Sequence, residues 1–265
     1  MQAYLNFLNL DGPPPLTLDG LTLLTRAQVR RVPFESITSI LRRAQHPRGP
    51  VPPLDTDALL HAWVERSGGG VCFEVVGTFE RVLRELGFQC RAINGQISWP
   101  GSHQALVVDL DQSRYLVDVG NGAPFLDPIP LDGVTEVRYA GLAWRFRPDP
   151  ESSSHWIQDR WIDDAWVPFC HYDLREADLG VREEAYQHHH RLGQSWVVDN
   201  LVLTRCDADE VWALRDDALR HFTPDGKSER RIHEPEEYAR MAAEVYGVPA
   251  LPIDRARAIL ASRSS

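Results

Sequence analysis

Cysteine is scarce in this chain: Cys72, Cys90, Cys170 and Cys206 are the four among 265 residues. Four are too few for a disulfide scaffold at this length, and their spacings do not match the paired Cys-x-x-Cys pattern of a structural zinc site. Reduced thiols are expected. Positive charge is also in deficit, with 28 Lys and Arg against 38 Asp and Glu for a net charge of -10, which argues against a nucleic-acid partner gripped through its phosphates. No apolar run approaches the roughly 20 residues of a membrane span. Met1-Gln2-Ala3-Tyr4-Leu5-Asn6 lacks the positive start and long apolar stretch of a secretory signal. The expected setting is cytoplasmic, with no membrane partner. Internal repeats and low-complexity segments are likewise missing.

What is present is an ordinary globular composition, 43% hydrophobic and 25% charged, in a chain long enough for two or three packed subdomains. Residues 1–87 read as helical. Leu21 to Ile40 is apolar-periodic but interrupted by Pro33, and Leu59, Leu60, Trp63 and Val64 follow a candidate cap at Asp55. The clearest helix follows Gly68-Gly69-Gly70: Val75, Val76, Phe79, Val82, Leu83 and Leu86 recur at helical spacing, and Gly87 stands where a C-terminal cap belongs. Cys72 therefore falls at a helix N-terminus.

From Cys90 the period shortens to that of strands. Cys90–Ser98, Gln104–Leu110, Tyr115–Val119, Trp156–Trp161, Trp166–Tyr172 and Val197–Thr204 read as an antiparallel barrel or curled sheet over residues 88–205. Residues 206–265 read as α/β, with short strands at Val211–Leu214, Leu219–Phe222 and Arg230–His233 before helices at Glu236–Tyr246 and Ile253–Ser262. The class is α+β.

A cysteine between three glycines and a helix is placed for nucleophilic work, because unpaired N–H groups and the helix dipole both favour the thiolate. The same amides offer an oxyanion site. Gly101-Ser102-His103 sets a histidine at the mouth of one strand, and Asp118 lies near the end of the next. Triad logic gives His103 the proton of Cys72 and gives Asp118 the task of fixing the imidazole tautomer. A simple hairpin loop, however, leaves Asp118 opposite Val107, so contact with His103 calls for a bulge or an offset.

These residues lie in motifs that resemble the arylamine N-acetyltransferases. Arg31-Val32-Pro33-Phe34-Glu35-Ser36 is similar to that family's Arg-x-Pro-Phe-Glu-Asn element, and Gly69-Gly70-Val71-Cys72-Phe73-Glu74 to its Gly-Gly-x-Cys-x-Glu nucleophile motif. Ser102-His103 is similar to its Thr-His element, and Tyr115 to Gly120 to its aspartate strand; the similarity extends to Tyr172-Asp173-Leu174 and to Gln194-Ser195-Trp196, spanning residues 1–205, and is weaker beyond them. The resemblance implies a helical domain, a β-barrel domain and an α/β lid around a papain- or transglutaminase-like core. It implies a Cys72-His103-Asp118 triad and acetyl-coenzyme A as co-substrate, with no bound cofactor. Partners would be an acyl-CoA and an aromatic amine or hydrazine, in a cleft lined by Phe34, Val71, Phe73, Gly101, Ser102, Asn121, Phe125 and Trp196.

Three positions depart from the family pattern: Gly68 stands for an arginine, Ser36 for an asparagine and Asn121 for a phenylalanine. Arg66 is the nearby candidate for the missing charge. Asn121, with Ala123-Pro124-Phe125, marks where acceptor choice would differ, through an amide able to hydrogen-bond a polar substituent. Two rival readings keep the same fold: an amide synthase joining an acyl chain to an aryl amine, and a catalytically silent binding protein. His188-His189-His190 points its rings in different directions and has no companion ligand at metal spacing. Cys90, Cys170 and Cys206 read as inert, the tryptophans Trp144, Trp156, Trp161 and Trp166 as barrel filling or cleft wall, and Glu35 and Glu74 as ion-pair partners.

Overall fold

The protein is described from a computed structural model covering residues 1–123 and 125–263; Pro124 and the last two residues lie outside the described residues. The N-terminal part holds α1 (Gln2–Phe7), α2 (Leu18–Arg31), a two-residue strand β1 (Phe34–Glu35), α3 (Ile37–Gln45), α4 (Thr56–Val64) and α5 (Cys72–Leu86). Asp55 caps α4 by accepting the Asp57 and Ala58 N–H groups. Pro33 separates α2 from β1, as a residue without a donor does. Helix α5 is central, burying Val75, Val76, Phe79, Val82 and Leu83 against the other helices and the sheet behind them. Gly87 ends it at φ 101°, a left-handed cap that glycine adopts without a Cβ penalty.

Eight strands follow: β2 (Gln89–Gln96), β3 (His103–Leu110), β4 (Ser113–Val117), β5 (Ile129–Pro130), β6 (Thr135–Tyr139), β7 (Leu142–Asp149), β8 (Ser152–Ile162) and β9 (Ala165–Glu176). They pair antiparallel in the order β5-β4-β3-β2-β9-β8-β7-β6. Leu116 and Ile129 from one end of that order share a core cluster with Trp144 and Phe146 from the other, together with Phe125, Trp156 and Tyr172. A sheet whose two ends meet in one core has curled into a nearly closed barrel.

Beyond it lie α6 (Leu179–His189), α7 (Trp196–Asp199), β10 (Val202–Cys206), β11 (Val211–Arg215), β12 (Ala218–Thr223), β13 (Gly226–Arg231), α8 (Pro235–Glu244) and α9 (Ile253–Arg263). The expected strand Val197–Thr204 is thereby corrected. Its first half is helical and its second half joins a different sheet, ordered β1-β10-β11-β12-β13. The polar pair Asp199-Asn200 divides the apolar run, and β1 supplies the edge on which β10 pairs, Phe34 against Thr204. The first helical segment and the last sheet are thus sewn together directly over the start of α5. Ser36 adds a stitch: its hydroxyl donates to the Asn200 carbonyl at 2.8 Å and accepts the Val202 N–H at 2.9 Å.

Candidate active site

Cys72 is the first residue of α5 and is 5% exposed. Glu74 reaches back to accept the Val71 N–H at 2.9 Å, securing the helix entry. Glu74 is fully buried and is paired with Arg42 of α3, whose Nη1 also lies 3.3 Å from His190 Nε2. Burial alone would raise the carboxyl's pKa, yet the charges of Arg42 and His190 and the Val71 bond hold it below the usual value. Arg42 is therefore the cation beside the nucleophile motif. Arg66, the residue expected there, instead donates to the Gly247 carbonyl at 2.9 Å. Glu35 also departs from expectation: rather than an ion pair, it accepts the Thr38 hydroxyl at 2.7 Å and the Gly69 N–H at 3.1 Å.

His103 opens β3 opposite Gly95 of β2. A Cβ on Gly95 would stand 3.1 Å from both His103 Cδ2 and Cys170 Sγ, so glycine there leaves the room that the imidazole fills. The ring's Nε2 lies 2.8 Å from Asp118 Oδ2. Strands β3 and β4 are joined by Asp111-Gln112, both at positive φ, with Leu110 facing Ser113 and Leu106 facing Val117. Continued by one step, this register puts Asp118 beside Ala105 instead of Val107, on the face that His103 shares. Contact needs no bulge in this pair, because diagonal neighbours on one face lie within reach of a long side chain.

Asp118 is 1% exposed, and its carboxylate is met by several donors. The Tyr172 hydroxyl donates to Oδ2 at 2.8 Å, the Gly120 N–H to Oδ1 at 3.2 Å and the Asn121 amide to Oδ2 at 3.4 Å. A buried carboxylate costs little only when its lone pairs are occupied in this way. Burial and the Asp118 charge hold the Tyr172 phenol protonated, so it remains a donor. For His103, burial pulls the pKa down, but the Asp118 charge and hydrogen bond, together with the Cys72 side chain, outweigh it and carry it up to about 10. With Nε2 engaged by Asp118, Nδ1 is the nitrogen left for the thiol. Burial pushes Cys90 up to about 11 and Cys206 to about 12, and it raises Cys170 as well, which keeps those three thiols protonated at neutral pH.

Cys72 and His103 open into a cavity of about 500 Å³. Of the expected lining, Phe34, Ser102, Asn121 and Trp196 border it. Val71 and Phe73 stand behind Cys72 in a buried cluster instead. Gly101 forms the turn before β3 at φ 79°, while the Ser102 hydroxyl accepts the N–H groups of Ile97 and Ser98 at 2.9 and 3.1 Å, shaping the approach to His103. Phe125 lies in the barrel core, edge-on to Trp144 and Phe146 at 5.3 and 4.9 Å between ring centres. Asn121 borders the cavity, but its amide is employed by Asp118, by Gln158 and by the Ala123 N–H. Its hydrogen bonds thus support the acid in place of the expected acceptor substituent.

Arg160, Phe169 and Arg215 line the cavity too and escaped the sequence reading; His189, which that reading weighed only as a metal ligand, also lines it. His189 is held by Ser102, its Nε2 3.0 Å from that carbonyl oxygen, and burial lowers its pKa to about 4. It faces the cleft as a neutral ring. The three consecutive histidines accordingly part company, with His189 toward the cavity, His190 toward Arg42 and His188 against Trp99. Among the described residues no group of His, Cys, Asp and Glu is arranged to hold a metal ion, and no helix is long and apolar enough to cross a membrane.

A family model described as N-acetyltransferase matches residues 17–252. The arylamine N-acetyltransferase / N-hydroxyarylamine O-acetyltransferase of Salmonella typhimurium is 30% identical over 203 residues, which are 74% of this chain and 66% of that protein. The arylamine N-acetyltransferase of Mycolicibacterium smegmatis is 34% identical over 142 residues, 49% of this chain and 50% of that one. The aligned sequence thus spans between half and two thirds of these relatives. Among solved structures, the arylamine N-acetyltransferase of Mycobacterium marinum in complex with CoA has the same fold, with a TM-score of 0.83 at 23% identity over 98% of this chain and 97% of that one.

Proposed function

The chain belongs to the arylamine N-acetyltransferase family, and on that premise we propose that it transfers an acetyl group from acetyl-coenzyme A, through a thioester on Cys72, to the nitrogen of an aromatic amine or hydrazine. The observation that carries this reading is the placement of Cys72 at the start of α5, on the wall of one cavity with a His103 whose Nε2 is tethered 2.8 Å from Asp118. The Mycobacterium marinum enzyme solved with CoA supports the donor.

In the first half-reaction the Cys72 thiolate attacks the acyl carbon, and the tetrahedral adduct's oxygen is met by N–H groups at the helix start. The adduct collapses, the C–S bond to coenzyme A breaks, and the departing thiolate takes the proton from His103. In the second, the amine nitrogen attacks the Cys72 thioester, His103 accepts the amine's proton, and Cys72 leaves as thiolate. Asp118 keeps Nδ1 aimed at sulfur throughout and stabilises the imidazolium. Phe34 and Trp196, whose rings lie 6.4 Å apart and 20° from parallel, offer flat apolar surface to an aromatic acceptor. The cytoplasm, which keeps thiols reduced, is the compartment we propose for this chemistry.

Two half-reactions that share one enzyme intermediate give ping-pong kinetics. Initial rates over a grid of acetyl-CoA and arylamine concentrations should yield parallel reciprocal plots. Intersecting plots would replace the thioester route with direct transfer in a ternary complex.

A further inference from the structure

Arg160 on β8 borders the cavity that holds Cys72 and His103, and it also borders an adjoining cavity of about 410 Å³. It therefore stands where the two spaces meet. Arg215 lines both as well, Arg220 lines the second, and no carboxylate borders either among the described residues. The preceding residue, Asp159, is taken up by Arg145 and Arg147, with N–O distances of 2.7 and 2.9 Å. Arg160 has no ion pair of its own among the described residues, and its Nε is buried without a hydrogen-bond partner. Its guanidinium lies 3.2 Å from the centre of the Phe169 ring.

Arg160 is half-buried on the cavity wall, and a guanidinium that has no ion pair there keeps its charge and its donors available to a ligand. Burial lowers the Arg160 pKa to about 10, still well above neutrality, and its electrostatic neighbours Tyr172 and Cys170 are both protonated there. The guanidinium thus remains charged, held in one orientation by stacking on Phe169, with donors unspent beside the reacting groups. Its planar fork matches a carboxylate.

We propose that Arg160, assisted by Arg215, is a carboxylate-recognising subsite of this cleft, so that one of the two substrates carries a carboxylate on the part that enters the cleft. The carboxylate belongs either to the acceptor, as in an aminobenzoate, or to the acyl group, as in a dicarboxylic acyl thioester. This inference rests on the acyl-transfer reading for its choice of substrates.

The test compares para-aminobenzoate with para-aminobenzamide as acceptors, and malonyl-CoA with propionyl-CoA as donors, in wild type, Arg160→Gln and Arg160→Lys. Wild type should favour the carboxylate member of one pair, and that pair identifies which substrate carries the charge. Arg160→Gln should cut the preference by roughly tenfold or more, mainly through KM, as loss of a charge-assisted hydrogen bond does. Arg160→Lys should restore part of it, keeping the charge without the fork. Calorimetric binding of para-aminobenzoate and of malonyl-CoA to Cys72→Ala, with and without Arg160→Gln, reads the subsite without turnover. Weakened binding of either in the double variant, with a wild-type enzyme that transfers no acyl group from any donor, would overturn the transfer reading and leave the subsite standing. Transfer with unchanged preference in both pairs would overturn the subsite alone. An equal loss with every CoA donor, absent with the neutral donor phenyl acetate, would assign Arg160 to the coenzyme's phosphates and overturn the proposal too.

Discussion

Asp118 is the residue on which the chemistry of His103 turns. The imidazole is buried, which by itself favours the neutral ring, and the carboxylate with its hydrogen bond, joined by the Cys72 side chain, reverses that preference, carrying the pKa from 6.5 to about 10. A folded-state pKa raised in this way gives stability that is fully present below about pH 6.5 and is lost as the pH rises through about 10. Asp118→Asn should therefore be less stable than wild type in urea unfolding at neutral pH, and the gap should narrow toward pH 10. The same substitution should slow transfer by roughly 10⁴-fold, as loss of the orienting carboxylate does in other histidine triads. A stability gap independent of pH, with transfer near the wild-type rate, would mean that Asp118 neither charges nor orients His103. The distant part of this carboxylate's company was not legible in any local signal. Tyr172 sits on β9, 54 residues away, and only the barrel's strand order brings its hydroxyl to Asp118.

At the scale of elements, the site depends on how closely the loop after β4 crosses the first turn of α5. A Cβ built on Gly120 would lie 2.8 Å from Val76 Cγ2 and 2.9 Å from Cys72 Cα, so the approach has no room for a methyl group. Gly120→Ala should push the loop and the helix start apart. A displacement of about 1 Å between reacting groups costs on the order of 10²-fold in rate, so transfer and Cys72 alkylation should fall by that much while far-UV circular dichroism is retained. A rate near wild type would show that the crossing is not what registers Cys72 against His103. The elements themselves were legible where local signals agreed: the glycine-led start of α5, its Gly87 cap, and the hairpin of β3 and β4. They were not legible where the signals were weak or conflicting. Helix α6 exposes Leu179 and Val181 and so shows no apolar stripe, which hid the helix that carries His189 to the cleft. The strand pair β6 and β7 went unread, and α7 with β10 looked like one strand because six of the eight residues in Val197–Thr204 are Val, Leu or Thr.

Across the whole molecule, the cleft is walled by segments far apart in sequence, with Phe34 before Cys72, Arg160 and Phe169 on the barrel, and Trp196 and Arg215 near the C-terminal sheet. That is why the proposed triad could be read from short motifs and the rest of the cleft could not. Cys72, His103 and Asp118 each stand at the boundary of an element, where glycine, turn and strand signals mark them. Arg160 and Phe169, by contrast, lie inside strands and look there like any other barrel wall. The pairing of β1 with β10 and the Ser36 stitch join the two ends of this arrangement above Cys72. They hold the cleft walls in place without touching the chemistry. The claim on which everything else depends is that Cys72 itself carries the acyl group. Intact-mass measurement after brief incubation with acetyl-CoA, in the absence of acceptor, reads this directly. Wild type should gain the mass of one acetyl group, localised to Cys72 by peptide mapping and discharged on adding an arylamine, while Cys72→Ala should gain none. An acetyl adduct that persists in Cys72→Ala, or a wild-type protein that turns over acceptor yet never carries the adduct, would contradict the account.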